Sequence, residues 1–167
     1  MATLGIVINP TSGRGRGKAD GAAAKVEFAK HGVDLVDLSA DSFKAASDNA
    51  KKAIQDKTIE GLIVVGGDGM FHLAVNATAN TDFPVGLIAA GTGNDSARAL
   101  KLPIHDVAAG VKHIVDHLNQ TRVVDLIESQ SDSKKFYSFG AVSAGFDALV
   151  NRRANLWTWI KGPVKYR

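Results

Sequence analysis

The 167-residue chain contains no cysteine. That excludes disulfides, cysteine-based zinc sites and thiol chemistry, and it fits a reducing cytosol. There is no run of about 18 apolar residues, so no membrane-spanning helix is expected. The opening MATLGIVINP has no charged leader and no long apolar stretch, so a secretion signal is not expected either. The expected location is the cytoplasm. The formal charge is only +3, too mild to argue for nucleic acid as a partner. What is present, 45% hydrophobic and 22% charged residues, matches one globular domain with a real core.

Charge is short of one sign locally. No acid follows Asp147, while Arg152, Arg153, Lys161, Lys165 and Arg167 do. A second basic group, Arg14, Arg16 and Lys18, follows the first apolar run. The plain reading is solvated surface. The functional reading is attraction to anionic ligands or to an anionic membrane face. Trp157 and Trp159 beside the basic end suit contact with a peripheral membrane surface; the favoured reading instead buries both rings in the absent second domain.

Apolar runs alternate with helix-like stretches. LGIVIN (4–9), VDLVDL (33–38), GLIVVG (61–66) and PVGLIA (84–89) read as strands. Residues 18–32 read as an alanine-rich helix closed by Gly32, and 42–57 as a helix capped by Ser42 or Asp41. Further helices are expected near 69–79, near 94–101 before Pro103, and over 105–118. This order predicts an α/β fold, a parallel sheet with helices on both faces and ligand loops along one edge. From about residue 120 the pattern changes. TRVVDLIES and KFYSFGAVSAG flank the polar cluster QSDS and read as an antiparallel hairpin. The expected division is a nucleotide-binding domain over 1–119 and the start of a β-rich domain over 120–167.

Three glycine loops follow predicted strands. NPTSGRGRGK (9–18) is not a P-loop: Gly17-Lys18 would need glycine at 12, which is Ser12, and a hydroxyl residue at 19, which is Ala19. It also lacks the dinucleotide spacing, yet its hydroxyls, backbone N–H groups and cations suit polyphosphate. GGDG (66–69) permits a sharp turn into a helix whose first N–H groups are free. The third loop, AAGTGNDSARAL (89–100), packs Thr92, Asn94 and Asp95 into four positions. Each loop alone is ambiguous: the first also reads as a flexible surface loop, and the other two as ordinary capped turns, with Asp68 as an N-cap. Their convergence on one sheet edge is the stronger signal. An aspartate beside phosphate is repelled unless its charge is used. Asp68 can deprotonate a hydroxyl, hold Mg²⁺ directly or through water, or cap its helix.

INPTSG, VVGGDG and GTGNDSARALKLP, in this order, resemble the diacylglycerol kinase catalytic domain family, whose members include sphingosine and ceramide kinases. NAD kinases share GGDG more distantly. AGFDALVNRRAN and KGPVKYR resemble the bacterial members. The resemblance implies an ATP- and Mg²⁺-dependent kinase acting on a lipid alcohol such as diacylglycerol. It implies nucleotide contacts at Asn9, Pro10, Thr11, Ser12 and Gly13, at Gly66, Gly67, Asp68, Gly69, Met70, Phe71 and His72, and at Thr92, Asn94 and Asp95. Asp68 is the catalytic candidate on the chemistry above, whereas the resemblance implies a base in the second domain and Asp125 as a member of a water and Mg²⁺ network.

The sequence departs from the family at three places. Thr is usual where Met70 stands, Asn where His72 stands, and an aromatic where Ser96 stands. Family members also continue into a β-rich second domain, so the expectation is that residues 1–167 are a fragment. Such a fragment is expected to self-associate through exposed hairpin surface, as a homodimer, and to be inactive alone. The alternatives in function are a soluble-substrate enzyme of the NAD kinase type and a nucleotide-binding regulatory module without transfer activity.

Overall fold

Residues 2–131, 134–142, 145, 148–150 and 152–153 are described by the structure, a computed structural model. The first apolar run forms strand β1 (Thr3–Ile8). A short helical turn α1 (Ser12–Gly15) follows, then α2 (Gly17–Lys30), β2 (Asp34–Asp37), α3 (Phe43–Gln55), β3 (Gly61–Gly66), α4 (Asp68–Thr78), β4 (Val85–Ala89), α5 (Asp95–Leu100) and α6 (Val107–Asp116). A hairpin of β5 (Ile127–Ser131) and β6 (Lys134–Ser138) completes the assigned elements.

The first four strands form one parallel sheet in the order β2-β1-β3-β4. All six residues of β3 are buried, as a central strand covered on both faces requires. Its side chains alternate between two cores. Leu62 and Val64 join Ala50, Ala53, Leu73 and Ala74 on the α3/α4 face. Ile63 and Val65 join Ala24, Phe28 and Val111 on the α2/α6 face. The α/β fold with helices on both faces is therefore as the sequence predicts.

The helix boundaries have local causes. Ser42, not Asp41, caps α3, its hydroxyl accepting the Ala45 N–H at 3.1 Å. Asp106 caps α6 through the Ala109 N–H at 2.9 Å. Helix α2 buries a row of mostly small residues, Gly17, Gly21, Ala24 and Phe28, which lets it lie close on the sheet.

The chain leaves β1 toward β2 on one side and returns to β3 on the other. The topological switch point therefore lies between the carboxyl ends of β1 and β3, where open parallel sheets bind ligands. Asn9 and the Gly66–Gly69 turn sit there, joined by the Asn9 N–H donating to the Val65 carbonyl at 3.1 Å.

The hairpin pairs antiparallel from Ile127↔Ser138 to Ser131↔Lys134. Its turn residues, 132 and 133, lie outside the described residues. The expected strand over TRVVDL is not found: residues 120–126 take no regular structure, and Val123 is 91% exposed. Strand-like composition needs a partner edge, and no pairing of this stretch occurs among the described residues. Helix appears at 148–150 and 152–153. Trp157, Trp159, Lys161, Lys165 and Arg167, singled out for membrane contact, lie outside the described residues.

Candidate active site

Two helices start at the switch point, and neither has a side-chain cap. Helix α2 begins after Arg16 and α4 after Gly67, both without a capping hydrogen bond. Away from the switch point, α3 and α6 are capped by Ser42 and Asp106. The positive ends of two helices without capping side chains favour an anion. Arg14, Arg16 and Lys18 are exposed beside them.

The first loop is folded by its own polar groups. Asn9 Oδ1 accepts the Thr11 N–H at 3.0 Å and the Thr11 hydroxyl at 2.9 Å. The Asn9 carbonyl accepts the Ser12 N–H at 3.2 Å and the Ser12 hydroxyl at 2.9 Å. Pro10 and Thr11 are exposed. Gly13 is left-handed, and a Cβ there would sit 2.4 Å from the Ala90 carbonyl oxygen. The first loop thus rests directly on the third. Arg16 reaches the same side, its guanidinium 3.3 Å from His105 Nδ1.

The second and third loops cross backbone to backbone. A Cβ on Gly91 would lie 2.3 Å from the Gly67 Cα and 2.8 Å from the Gly67 nitrogen. No side chain fits between them. Asn94 shapes the third loop from inside. It is 1% exposed and left-handed at φ 57°, a conformation asparagine tolerates better than most residues. Its Oδ1 accepts the Gly91 N–H at 2.9 Å, and its Nδ2 donates to the Gly91 carbonyl at 3.0 Å. Its amide is occupied in holding the turn.

Asp68 is half-buried in the first turn of α4. The N-cap position of α4 belongs to Gly67. The Asp68 carboxylate instead accepts the Ser96 N–H at 2.8 Å, so it caps α5, whose own N-cap residue Asn94 makes no capping bond. Its other oxygen lies toward Gly93, 3.0 Å from where a Cβ would stand. Burial pushes the carboxyl pKa up. Hydrogen bonds from the Ser96 backbone and side chain and from the Asp95 backbone outweigh this, holding the group below its ordinary value of 3.8.

The remaining sequence-selected residues divide by exposure. Gly69, His72, Thr92 and Asp95 are exposed. Asp95 is ion-paired with Arg98 at 2.9 Å, and Arg98 also donates to the Gly93 carbonyl. Met70 and Phe71 are buried at 6% and 7% exposure and belong to the α3/α4 core. Their N–H groups both donate to the Gly67 carbonyl. Their side chains hold the turn from beneath. Asp125 is exposed and lines a different cavity of about 890 Å³, whose walls include Ala2, Glu60 and Pro84 and none of the three glycine turns. No group of three His, Asp or Glu side chains that could hold a metal occurs among the described residues.

Sequence reasoning missed three residues. Ser96 and Gly91 are known only through partners distant in sequence. Asn76 did carry a signal: a weak helix former inside the helix that contains buried Leu73, Ala74 and Val75.

The sequence model described as the diacylglycerol kinase catalytic domain matches residues 3–129. The chain belongs to the diacylglycerol kinase catalytic domain family. A diacylglycerol kinase of Mycobacterium tuberculosis is 40% identical over 161 residues, which cover 95% of this chain and 50% of that protein. A diacylglycerol kinase of Staphylococcus carnosus is 30% identical over 165 residues, 96% of this chain and 51% of that protein. The crystal structure of a diacylglycerol kinase from Bacillus anthracis superposes with a TM-score of 0.55 at 28% identity, covering 70% of this chain and 40% of that one. The chain therefore spans about half the length of the relatives it matches. The family match includes all three glycine loops, and also Asp125 and the first residues of β5.

Proposed function

We propose that this chain is the nucleotide-binding half of a lipid kinase that uses ATP and Mg²⁺ and transfers the γ-phosphate to a lipid hydroxyl, with diacylglycerol as the first acceptor to test. The observation that carries the reading is the interlocked set of glycine loops at the switch point, bounded by two uncapped helix starts and one ionised carboxylate. Family membership supplies the reaction class.

The ATP phosphates would face the first-turn N–H groups of α2 and α4, with Arg14, Arg16 and Lys18 adding positive charge. Gly13, Gly67 and Gly91 let the loops close on one another, while Gly15 and Gly69, where a Cβ would meet nothing within 4 Å, leave backbone open to phosphate oxygens. Asp68 would keep its charge in this setting. A carboxylate held below its usual pKa is a weak general base, because an efficient base titrates near the working pH. Its free oxygen suits a hard cation. One carboxylate plus phosphate oxygens and water is an ordinary donor set for Mg²⁺, so the residues present fit the ion. Asp68 would hold it; Asp125 lines a different cavity and is left out of that set. Bound Mg²⁺ would neutralise phosphate charge as the γ-phosphoryl group transfers.

The protein carrying this chain should phosphorylate diacylglycerol in mixed micelles, and Asp68→Asn should lower the rate at least about a hundredfold, the scale for losing a group that acts in the transition state. Phosphorylation of soluble NAD with no lipid product would replace the proposal with the NAD kinase reading. ATP binding without transfer to either acceptor would favour the regulatory module.

A further inference from the structure

Helix α4 begins at the Asp68 turn and ends against the β5–β6 hairpin. A hairpin of two strands is marginal alone, so its placement depends on what holds it. Asn76 bonds both backbone groups of one of its residues. Its Nδ2 donates to the Tyr137 carbonyl at 2.8 Å and to the His72 carbonyl at 2.9 Å, while its Oδ1 accepts the Tyr137 N–H at 2.8 Å. Taking both the N–H and the C=O of one strand residue reproduces the paired exchange of an antiparallel ladder. A side chain on a helix thus occupies a β6 edge that a third strand would otherwise fill.

The neighbouring contacts lie on α4 and just past its end. Asn80 donates to the Tyr137 hydroxyl at 2.6 Å, and that hydroxyl donates to Glu128 on β5 at 2.9 Å. Nearer the glycine turn, Phe71 meets Phe139 edge-on, with centroids 5.4 Å apart at 86°. Apolar contacts can slide; the Asn76 pair cannot, because moving β6 by one residue would present a different set of backbone groups. We propose that Asn76 is a positioning residue: it fixes the register of the hairpin on α4 and couples the hairpin to the Asp68 turn. The coupling rests on nucleotide binding at that turn; the register does not.

Amide hydrogen exchange on the 167-residue chain tests both parts. Asn76→Ala should speed exchange at Tyr137 by about tenfold or more, while β1, β3 and β4 amides keep their protection. Asn76→Asp provides the control that a general loss of stability would not reproduce. At neutral pH its carboxylate sets an acceptor against the Tyr137 carbonyl, and protection should be lost. Near pH 4 or below, the protonated acid regains a donor, and the protection factor should recover. Unchanged Tyr137 protection in both variants would overturn the register claim, as would equal loss across the parallel sheet. In the second arm, saturating Mg²⁺-ADP should slow Tyr137 exchange in the wild type and not in Asn76→Ala. Nucleotide that binds by calorimetry but leaves wild-type Tyr137 unchanged would overturn the coupling. Nucleotide that fails to bind at all would overturn the reading of the loops and with it the coupling, and the nucleotide-free exchange still decides the register.

Discussion

The Asp68 carboxylate accepts the Ser96 backbone N–H at 2.8 Å across 28 residues of sequence. One acid therefore holds two glycine turns together, standing at the start of α4 and capping α5. Its two oxygens have separate surroundings, one bonded to Ser96 and one toward Gly93. The separation makes structural and ligand roles testable with different substitutions.

Asp68→Asn keeps an oxygen to accept the Ser96 N–H, whereas Asp68→Ala keeps none. Urea denaturation should show Asp68→Ala less stable than wild type by about 0.5–2 kcal/mol, the usual range for a lost helix cap. Asp68→Asn should lie closer to wild type. Equal losses in the two variants would show that charge, not the cap, holds α5.

Acid should remove the contribution of the Asp68 charge. The folded carboxyl titrates below its ordinary value of 3.8, so the stability it adds is fully present above that value. It fades as pH falls through the lower folded pKa. The stability gap between wild type and Asp68→Asn should therefore be constant from pH 7 to 5 and shrink below about pH 4. A gap that widens in acid would reverse the sign of the shift.

Gly91→Ala should be damaging out of proportion to its size. The added methyl meets Gly67 backbone at 2.3 Å, where no flexible side chain can yield. A destabilisation of about 1–3 kcal/mol is expected, as for overpacking elsewhere. Gly69→Ala is the control, since a Cβ there meets nothing within 4 Å. Similar melting temperatures for the two variants would contradict the crossing of the loops.

Asn94→Gly separates the two jobs of that residue. Glycine tolerates the left-handed backbone but abandons the Gly91 N–H and carbonyl. Each buried group left without a partner costs about 1–3 kcal/mol. Asn94→Ala loses the same bonds and adds left-handed strain, so it should be the less stable of the two. The order of their denaturation midpoints checks this.

Much of the fold was legible because its signals are local. The apolar run of β3 reads correctly to the residue, and Ser42, which starts α3, is one of the two caps the sequence offers. The alternation of strands and helices places the three loops on one edge before any coordinate is known. The contacts that define the site were not legible, since they join positions far apart. Nothing near Asp68 announces Ser96, and nothing near Asn76 announces Tyr137, 61 residues away. Local reading offered the cap of its own helix as one of three roles for Asp68; the geometry gives that position to Gly67. TRVVDL shows the opposite failure, a strand-like composition that pairs with neither described sheet. Met70 shows a third limit. Its place in the motif marks it as part of the site, but only packing reveals that its side chain faces the core.

The most direct test of the account is calorimetric titration of ATP into this chain and into Asp68→Ala, each with and without Mg²⁺. The wild type should bind ATP more tightly when Mg²⁺ is present, and Asp68→Ala should lose most of that enhancement while retaining weaker, metal-independent binding at the helix starts. Identical Mg²⁺ dependence in the two proteins would contradict the assignment of Asp68 to the metal and phosphate site.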